Sequence, residues 1–366
     1  MDITGYVQSG QNPVHGAVWA WGGGFQGELG NGTTANSAVP VAVFGLSDVT
    51  AVAGGGAAGY ALRRDGTAWA WGSGVFGSLG NRTGIASPVP VQVSGLTEVV
   101  AIAGGFATGY ALRGDGTVWA WGSGYSGQLG TGDDERFSVA PVQVSGLTDA
   151  TAIAAGDSTA YALRSNGTVW AWGNGSQGQL GIGDTANNRG TPVQVSELTD
   201  VTAIAAGDGT AYALRSNGTV WAWGNGSQGQ LGNGFPFNSG VPGQVPALNT
   251  ATAIAAGNYT GYARLTDGTV RAWGNGAYGA LGNGGTLNGP VPVAVFALAE
   301  VTSLAGGFFT GYARLTDGTV RAWGYGVFGQ LGNQAMSNSA VPVPVYGLTG
   351  VSAIASGGEA GFATTP

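Results

Sequence analysis

The chain has 366 residues, of which 73 are glycine and 8% are charged, and its formal net charge is −7. Since 43% of the residues are hydrophobic, the chain is too apolar to be a disordered polymer. All twelve basic residues are arginine and they form no cluster, which excludes a nucleic-acid backbone as the expected partner, because phosphates need concentrated positive charge. The absence of cysteine excludes disulfides and cysteine-ligated metals.

Two kinds of apolar segment are also missing from the sequence. No apolar run approaches the ~20 residues that cross a membrane, so no membrane association is expected. The start of the chain lacks a basic stretch followed by an apolar run, and no secretory signal peptide is therefore predicted. The sequence does not indicate the cellular compartment of the protein.

One motif, W-A-W-G-x-G-x-x-G-Q-L-G, recurs along the whole chain. Its second tryptophan falls at positions 21, 71, 121, 172, 223, 273 and 323, in steps of 50 or 51 residues. Residues 151–181 and 202–232 differ only at Ser158 and Gly209, which indicates a recent duplication. A fixed period of this length is typical of repeat architectures such as propellers.

Each unit contains four short predicted strands, shown here for one copy. In chain order they are Pro-Val-x-Val at 192–195, V-T-A-I-A-A-G at 201–207, Tyr-Ala-Leu-Arg at 212–215 and V-W-A-W-G at 220–224. Asn-Gly or Asp-Gly between the third and fourth strands predicts a type I′ hairpin turn. No segment has the 3.6-residue apolar period of a helix.

Four antiparallel strands per unit, repeated seven times, predict an all-β, seven-bladed β-propeller that spans residues 1–366 as a single domain. The third-strand pattern occurs eight times, because both Tyr6 and Phe362 fit it. The closing blade is therefore expected to mix strands from both ends of the chain. The spacing favours Phe362 over Tyr6 for the shared position.

The motif W-A-W-G-x-G-x-x-G-Q-L-G-x-G, followed by Pro-Val-x-Val and I-A-A-G, resembles the regulator of chromosome condensation repeat. The resemblance covers nearly the whole chain in seven copies, and it implies a seven-bladed propeller. Members of the family include an exchange factor for the small GTPase Ran, a plant ultraviolet-B photoreceptor and bacterial propellers that inhibit β-lactamases, and this chain is closest in character to the bacterial members. Such different tasks on one fold mean that function has to be argued from the residues.

Two of these family tasks find little support in the residues. Trp170 and Trp172 stand at alternate positions of one predicted strand, so they should point the same way, between blades, which is a packing role and not light sensing. No unit carries an insertion that would extend toward a GTPase, and no basic surface for chromatin is present.

The glycine motif contains a literal G-x-G-x-x-G in all seven units. A dinucleotide site needs a helix directly after the glycines, with its N-terminus facing the pyrophosphate. Here Leu-Gly and an extended, proline-containing segment follow instead. The glycines are therefore predicted to form tight turns between blades, and no cofactor is expected.

Candidate catalytic groups are sparse. His15, the only histidine, lies in a predicted N-terminal loop with no nucleophile motif beside it. The acidic residues 133–135 lack calcium-loop spacing and are predicted to be a solvated loop, so no metal site is expected. Asp157, Asp208 and Glu359 occupy equivalent turns of three blades, and carboxylates in such turns would serve glycoside hydrolysis only at a suitable separation.

Variation among the seven copies points to one face of the propeller. The turn after I-A-A-G and the turn after W-A-W-G should emerge on the same side of each blade, and in five consecutive blades these turns carry aromatic residues. Exposed aromatic clusters mark binding sites, although rings that merely cap the blade ends would give the same pattern. The predicted partner-binding residues are Phe25, Phe76, Phe106, Tyr125, Tyr259, Tyr278, Phe308, Phe309, Tyr325 and Phe328.

A second pattern is a pair of arginine substitutions in the last two full repeats. A two-residue hairpin would place Arg264 directly opposite Arg271, and Arg314 directly opposite Arg321. Like charges directly opposite each other are unfavourable on a sheet. Solvent at the outer edge, stacked guanidinium groups or an anionic partner would offset the repulsion, so the four residues are a candidate anion patch.

The sequence thus predicts a monomeric, non-enzymatic propeller that presents an aromatic loop face to a protein partner, as a secreted bacterial inhibitor or an interaction scaffold. The alternative is an enzyme with a small-molecule site on the loop face or in the central channel. A carbohydrate-binding module is the third reading, because aromatic rings with asparagine and glutamine also suit sugars.

Overall fold

The computed structural model describes residues 16–132 and 135–366. The regular secondary structure of these residues is β-strand, apart from two 3-10 helices at Val75–Gly77 and Ala277–Gly279. The strands are β1 (Ala17–Gly22), β2 (Ser37–Ala42), β3 (Val49–Gly54), β4 (Ala58–Arg63), β5 (Ala68–Gly72), β6 (Ser87–Gln92), β7 (Val99–Gly104), β8 (Thr108–Arg113), β9 (Val118–Ser123), β10 (Phe137–Gln143), β11 (Ala150–Ala155), β12 (Thr159–Arg164), β13 (Val169–Gly173), β14 (Arg189–Gln194), β15 (Val201–Ala206), β16 (Thr210–Arg215), β17 (Val220–Gly224), β18 (Ser239–Gln244), β19 (Ala251–Ala256), β20 (Thr260–Leu265), β21 (Val270–Gly274), β22 (Gly289–Ala294), β23 (Val301–Gly306), β24 (Thr310–Leu315), β25 (Val320–Gly324), β26 (Ser339–Pro344), β27 (Ala353–Gly357) and β28 (Ala360–Thr365).

The strands pair into seven antiparallel sheets of four, which confirms the predicted seven-bladed propeller. Six blades are continuous in sequence, and the seventh combines both ends of the described chain. We number them blade I (β3–β6), blade II (β7–β10), blade III (β11–β14), blade IV (β15–β18), blade V (β19–β22), blade VI (β23–β26) and blade VII (β27, β28, β1 and β2).

Within a blade, the I-A-A-G strand is innermost, and the tyrosine, tryptophan and Pro-Val strands follow outward. The glycine motif therefore joins the third and fourth strands of one blade, and the prediction that it connects blades was wrong. A repeat period does not show where a unit begins. The pairing of Trp19 with Ala42 shows that the Pro-Val strand after each glycine motif belongs to the same blade.

The third glycine of the motif nevertheless touches the next blade. Gly27 has φ +91°, and a Cβ built on it would lie 2.5 Å from the Cα of Pro88 in the outermost strand of blade I. Only glycine combines this left-handed backbone with such close packing. The motif is thus a turn that also seals neighbouring blades.

The hairpin between the tyrosine strand and the tryptophan strand, which are the second and third strands of a blade, differs from the predicted type I′ turn. In blade III, the Gly167 amide donates to the Arg164 carbonyl and the Arg164 amide donates to the Thr168 carbonyl, both at 2.9 Å. Gly167 has φ +77°, whereas Asn166 is not left-handed. This is a three-residue loop with a glycine bulge. Asn166 instead accepts the Thr168 amide through Oδ1 at 3.1 Å.

The core between blades is built on a tyrosine–tryptophan pair. Tyr161 of blade III meets Trp223 of blade IV edge to face, with ring centroids 6.1 Å apart. Equivalent pairs, with phenylalanine in place of tyrosine in blade VII, span 5.6–6.1 Å around the ring. Trp223 Nε1 and the Tyr161 hydroxyl both donate to the carbonyl oxygen of Gln179, at 2.9 and 2.7 Å. Trp170 and Trp172 belong to one cluster, which confirms the packing role predicted for these alternate tryptophans.

Blade VII closes the ring as predicted. Strand β28 lies between β1 and β27, and Phe362 pairs with Ala20 on one side and Ala355 on the other. Phe362 is buried and stacks edge to face on Trp71 of blade I. It therefore occupies the shared position, whereas Tyr6 lies outside the described residues.

Candidate functional site

The two sets of turns predicted to share a face lie together at one end of the propeller. Tyr278 follows a tryptophan strand and Phe309 follows an innermost strand, yet their ring centroids are 5.3 Å apart. The turns that follow the innermost strands, called the inner turns below, line the mouth of an axial cavity. Phe25 and Gln26, which follow the tryptophan strand of blade VII, line the same mouth. This end of the molecule is called the loop face below.

Seven of the ten predicted aromatic residues form one connected arc across blades V, VI and VII. Successive ring centroids lie 4.7–6.0 Å apart, mostly edge to face, an arrangement that aromatic pairs prefer. Phe25 and Tyr278 are 56% and 46% exposed, while the others are half-buried. The aromatic arc consists of Tyr259, Phe308, Phe309, Tyr278, Tyr325, Phe328 and Phe25.

The remaining three predicted aromatic residues lie in blades I and II. Phe76 and Tyr125 stack on each other with centroids 5.3 Å apart. Phe106 is 60% exposed and lines the axial cavity. In the part of the chain that the structure describes, no ring contact joins these three residues to the arc, so the predicted set divides into the arc, the Phe76–Tyr125 pair and the separate Phe106.

Three of these aromatic residues have left-handed backbones. The φ angles of Phe76, Tyr278 and Phe309 are +55°, +60° and +54°. A bulky side chain in this region costs on the order of 1–3 kcal/mol, and such strain concentrates at functional sites. Blade IV has Gly209 at the position of Phe309, with φ +67° and no strain. The rings are thus held at the loop face at a cost in stability.

Other exposed aromatic residues follow the outermost strands of the same three blades. Phe44, Phe296 and Tyr346 are 67%, 59% and 55% exposed, and equivalent positions elsewhere carry serine or proline. Sequence reasoning passed over them, although their variation between repeats was visible. Within the described residues they make no ring contact with the aromatic arc, so they provide a matched control for it.

The axial cavity opens on the loop face and has a volume of about 520 Å³. Its wall consists largely of the glycine-rich inner turns, which backbone hydrogen bonds link from blade to blade, such as the Asp208 amide to the Asn258 carbonyl at 3.0 Å. The cavity is also lined by Asp157, Asp208, Glu359 and Glu28. Sequence reasoning missed Glu28, although it replaces the glutamine of the consensus G-Q-L-G.

The structure brings Asp157 and Asp208 together from blades III and IV. Burial, the charge of Asp208 and a hydrogen bond with Asp208 together raise the pKa of Asp157 to about 7. Tyr259 of blade V donates its hydroxyl to Asp208, and this hydrogen bond, burial and the charges of Asp208 and Asp157 together raise the pKa of Tyr259 to about 12. Carboxyls in hydrogen-bonding contact are closer than the roughly 5–10 Å separations of glycosidase pairs, so this geometry does not support glycoside hydrolysis.

A second acidic pair lies on the side of blade VII. Burial and the charge of Glu28 raise the pKa of Glu359, and burial raises the pKa of Glu28. Tyr325 of the aromatic arc has a raised pKa because of burial and then the charge of Glu359. The cavity mouth therefore concentrates negative charge that the protein itself leaves only partly compensated.

The raised pKa of Asp157 predicts a dependence of stability on pH. An unfolded aspartate ionises near pH 4, whereas Asp157 ionises near pH 7 when folded, so its contribution to stability is complete below pH 4 and is lost as the pH rises to 7. At pH 8, Asp157→Asn should therefore raise the free energy of unfolding by on the order of 2 kcal/mol, with little gain at pH 3.5. Asn258 at the equivalent position of blade V shows that asparagine fits this turn.

Urea unfolding at the two pH values measures this effect. Asp267→Asn is the control, because Asn166 already stands at the equivalent position of blade III and the charge change is the same. Equal stability of the wild type and Asp157→Asn at pH 8 would contradict the assignment.

The predicted arginine pairs are not opposite each other. Arg264 pairs with Val270 and Ala263 pairs with Arg271, because the three-residue loop shifts the register by one relative to a two-residue turn. Arg264 and Arg271 therefore point to opposite faces of the sheet, and blade VI shows the same shift for Arg314 and Arg321. The expected like-charge contact was wrong.

Arg264 and Arg314, which lie on the tyrosine strands of blades V and VI, instead link neighbouring blades. Arg264 donates from Nη1 to the carbonyl of Thr302 in blade VI at 2.9 Å, and Arg314 donates to the carbonyl of Val351, which leads into blade VII. Arg321 donates from Nη1 to Thr319 Oγ1 at 3.3 Å. Hydrogen bonds from Thr269 and, to a smaller extent, the charge of Arg271 lower the pKa of Asp267. An anion patch at these four residues stays a prediction.

The other candidate features of this chain are catalytic residues, metal-binding residues and membrane-spanning helices. His15, Asp133 and Asp134 lie outside the described residues. Among residues 16–132 and 135–366, no cluster of three or more histidine, aspartate or glutamate side chains is arranged to hold a metal ion. The same residues contain no helix that is long and apolar enough to cross a membrane.

The fold and its repeats define a class of propeller, and comparison with known proteins identifies the family to which this propeller belongs. The RCC1-like domain matches residues 138–366, and the regulator of chromosome condensation (RCC1) repeat matches residues 15–62, 65–108 and 99–128. The chain therefore belongs to the RCC1-like propeller family.

Relatives with known names match over short segments. The human regulator of chromosome condensation is 36% identical over 72 residues, which are 20% of this chain and 17% of that protein. The human probable E3 ubiquitin-protein ligase HERC6 is 36% identical over 101 residues, which are 27% of this chain and 10% of that protein. The chain thus spans less than a fifth of the length of these relatives.

Solved structures match over nearly the whole chain. Prp20p from Saccharomyces cerevisiae superimposes with a TM-score of 0.84 at 22% identity, covering 96% of this chain and 92% of that one. Human WBSCR16 superimposes with a TM-score of 0.87 at 21% identity, covering 96% and 98%. At this level of identity the likeness concerns the fold.

Proposed function

We propose that this propeller is a protein-binding module and that the aromatic arc is the centre of its interface. The observation that carries the proposal is the arc itself, a connected row of seven aromatic side chains at the exposed end of three blades. Aromatic residues dominate the energetics of protein interfaces, where they act as anchors that bury large areas.

Two further observations support a role in recognition over simple capping of the blades. Tyr278 and Phe309 hold their rings on left-handed backbones, which bulky residues adopt only at a cost in strain. Blades III and IV carry small or polar residues in the equivalent turns, as at Ser158 and Gly209, so a ring is not required to finish a blade.

Protein binding also fits what is known of similar folds. Prp20p is described as binding Gsp1p and histones, and yeast RCC1 has been solved bound to Kap60. Inhibition of a secreted target, as in the bacterial propellers that the sequence resembles, is a narrower form of the same proposal. The arc supports the general role of protein binding.

The test is a triple substitution in the arc. Phe308→Ala, Phe309→Ala and Phe328→Ala together should weaken partner binding by more than about 30-fold, because loss of a hot spot costs at least about 2 kcal/mol. Wild type and variant are compared by affinity capture from the native lysate or secretome, followed by titration of the captured protein.

The control triple is Phe44→Ala, Phe296→Ala and Tyr346→Ala, which removes rings from the same blades outside the arc. Circular dichroism and thermal unfolding check that both variants are folded. Retained binding by the folded arc variant would contradict the proposal. If the arc variant loses its stability while the control does not, the rings cap the blades.

A further inference from the structure

The mouth of the axial cavity carries four carboxylates without a neutralising cation. Asp157, Asp208, Glu359 and Glu28 all line the cavity, and the lining includes no arginine or histidine among the described residues. The seven ion pairs of the described residues use other carboxylates, such as Asp149 with Arg164. Among the described residues, the mouth therefore has no cationic side chain to neutralise its carboxylates.

Aromatic rings lie around the same opening. Phe25, Phe106, Tyr259 and Phe308 line the cavity beside the carboxylates, and three of them belong to the aromatic arc. The face of an aromatic ring attracts a cation within about 6 Å of its centre, most strongly a guanidinium or ammonium group. Rings and carboxylates together form a recognised environment for an organic cation.

The arrangement favours an organic cation over a metal ion. No three acidic or histidine side chains of the described residues converge as metal ligands, and hard divalent cations require several converging oxygens. The volume of about 520 Å³ is larger than an ion needs and leaves room for a long side chain.

We propose that the axial mouth receives one basic side chain, arginine or lysine, from the protein partner that docks on the aromatic arc. The partner is thereby assigned a chemistry: a protruding loop with a central basic residue. Charge complementarity at the mouth is the argument for this occupant. The inference rests on the proposed function and assigns the partner's side of the same interface.

The electrostatics of the mouth agree with this assignment. The pKa of Asp157 is raised by burial and by Asp208, so the free site holds its negative charge unfavourably. An inserted cation would lower the pKa of Asp157, because an opposite charge favours the ionised form. The charged or titratable groups around it are Asp208 and Tyr259, from blades IV and V.

A pair of peptides tests the inference without the natural partner. The probe is acetyl-Gly-Gly-Arg-Gly-Gly-amide, and its control contains citrulline, which has nearly the shape of arginine without the charge. Titration at pH 8, followed by NMR of the backbone amides, should show saturable shifts at Gly156, Gly207 and Gly358 with the arginine peptide only. In a separate pH series, the carboxyl carbon of Asp157 should titrate at lower pH when the arginine peptide is bound than when it is absent.

Matched variants locate the binding. Asp157→Asn with Asp208→Asn should weaken the arginine peptide by about tenfold or more, because the cation loses both carboxylates of that pair. Asp267→Asn with Asp317→Asn removes the same charge at the far ends of blades V and VI, where asparagine is native in other repeats, and should leave the affinity unchanged.

Three results would overturn the inference: equal shifts with both peptides, no shifts with either, or equal weakening in both double variants. The outcomes separate this inference from the proposed function. If the arc variant loses its partner while the arginine peptide does not bind, the basic-residue assignment fails alone. If the peptide binds but the arc variant keeps its partner, the cation site stands and the proposed interface fails.

Discussion

Deletion of residues 351–366 is expected to abolish cooperative folding. The deletion removes β27 and β28, the two inner strands of blade VII, and leaves β1, which still pairs with β2, without its inner partner β28. It exposes the faces of blades I and VI, including Trp71, which loses its stacking partner Phe362. The loss should exceed about 5 kcal/mol, which is comparable to the whole stability of an ordinary domain.

Thermal and urea unfolding followed by tryptophan fluorescence measure this effect. A synthetic peptide of residues 351–366, added in trans, should restore a cooperative transition, whereas a scrambled peptide should not. An unchanged melting temperature after the deletion would show that the ring does not depend on closure by these strands.

Replacement of the buried motif tryptophan should have the largest effect of any single substitution in a blade. Trp223 is fully buried, stacks on Tyr161 of the preceding blade and donates Nε1–H to the Gln179 carbonyl at 2.9 Å. Trp223→Ala should lower the free energy of unfolding by about 3–5 kcal/mol, because it leaves a cavity at an interface between blades. The urea midpoint at constant slope reports the change.

The matched control lies two residues earlier on the same strand. Trp221 is only half-buried, donates to Thr219 Oγ1 at 3.2 Å, and has the Arg215 guanidinium over its ring at 5.6 Å. Trp221→Ala should cost about 1–2 kcal/mol, since solvent already reaches one side of the ring. Equal losses for the two variants would mean that the pairing between blades is not the main source of stability.

Most of the fold could be predicted because its signals are local and occur seven times. The repeat period, the four strand patterns and the extra tyrosine-strand pattern at Phe362 all predicted features that the structure contains. The register in the arginine repeats was wrong, because Asp-Gly fits both a two-residue turn and a three-residue loop with a glycine bulge. The choice between them depends on how the chain packs beyond the turn.

The candidate site could be predicted only in part. The variation of aromatic residues between copies indicated the loop face, and the structure connects seven of the ten residues into an arc. The division of Phe76, Phe106 and Tyr125 from that arc was not visible in the sequence. Ring contacts between blades depend on the curvature of the propeller and on side-chain rotamers, which a repeat pattern does not encode.

The sequence by itself determined the number of blades, the four strands of each repeat and the mixed closure, since each follows from a pattern repeated along the chain. Tertiary structure alone decided which side chains meet at the axis. Asp157, Asp208 and Tyr259 stand about one repeat apart in sequence and come together because each occupies the inner turn of its own blade. Only the closed ring converts equal spacing along the chain into proximity around one opening.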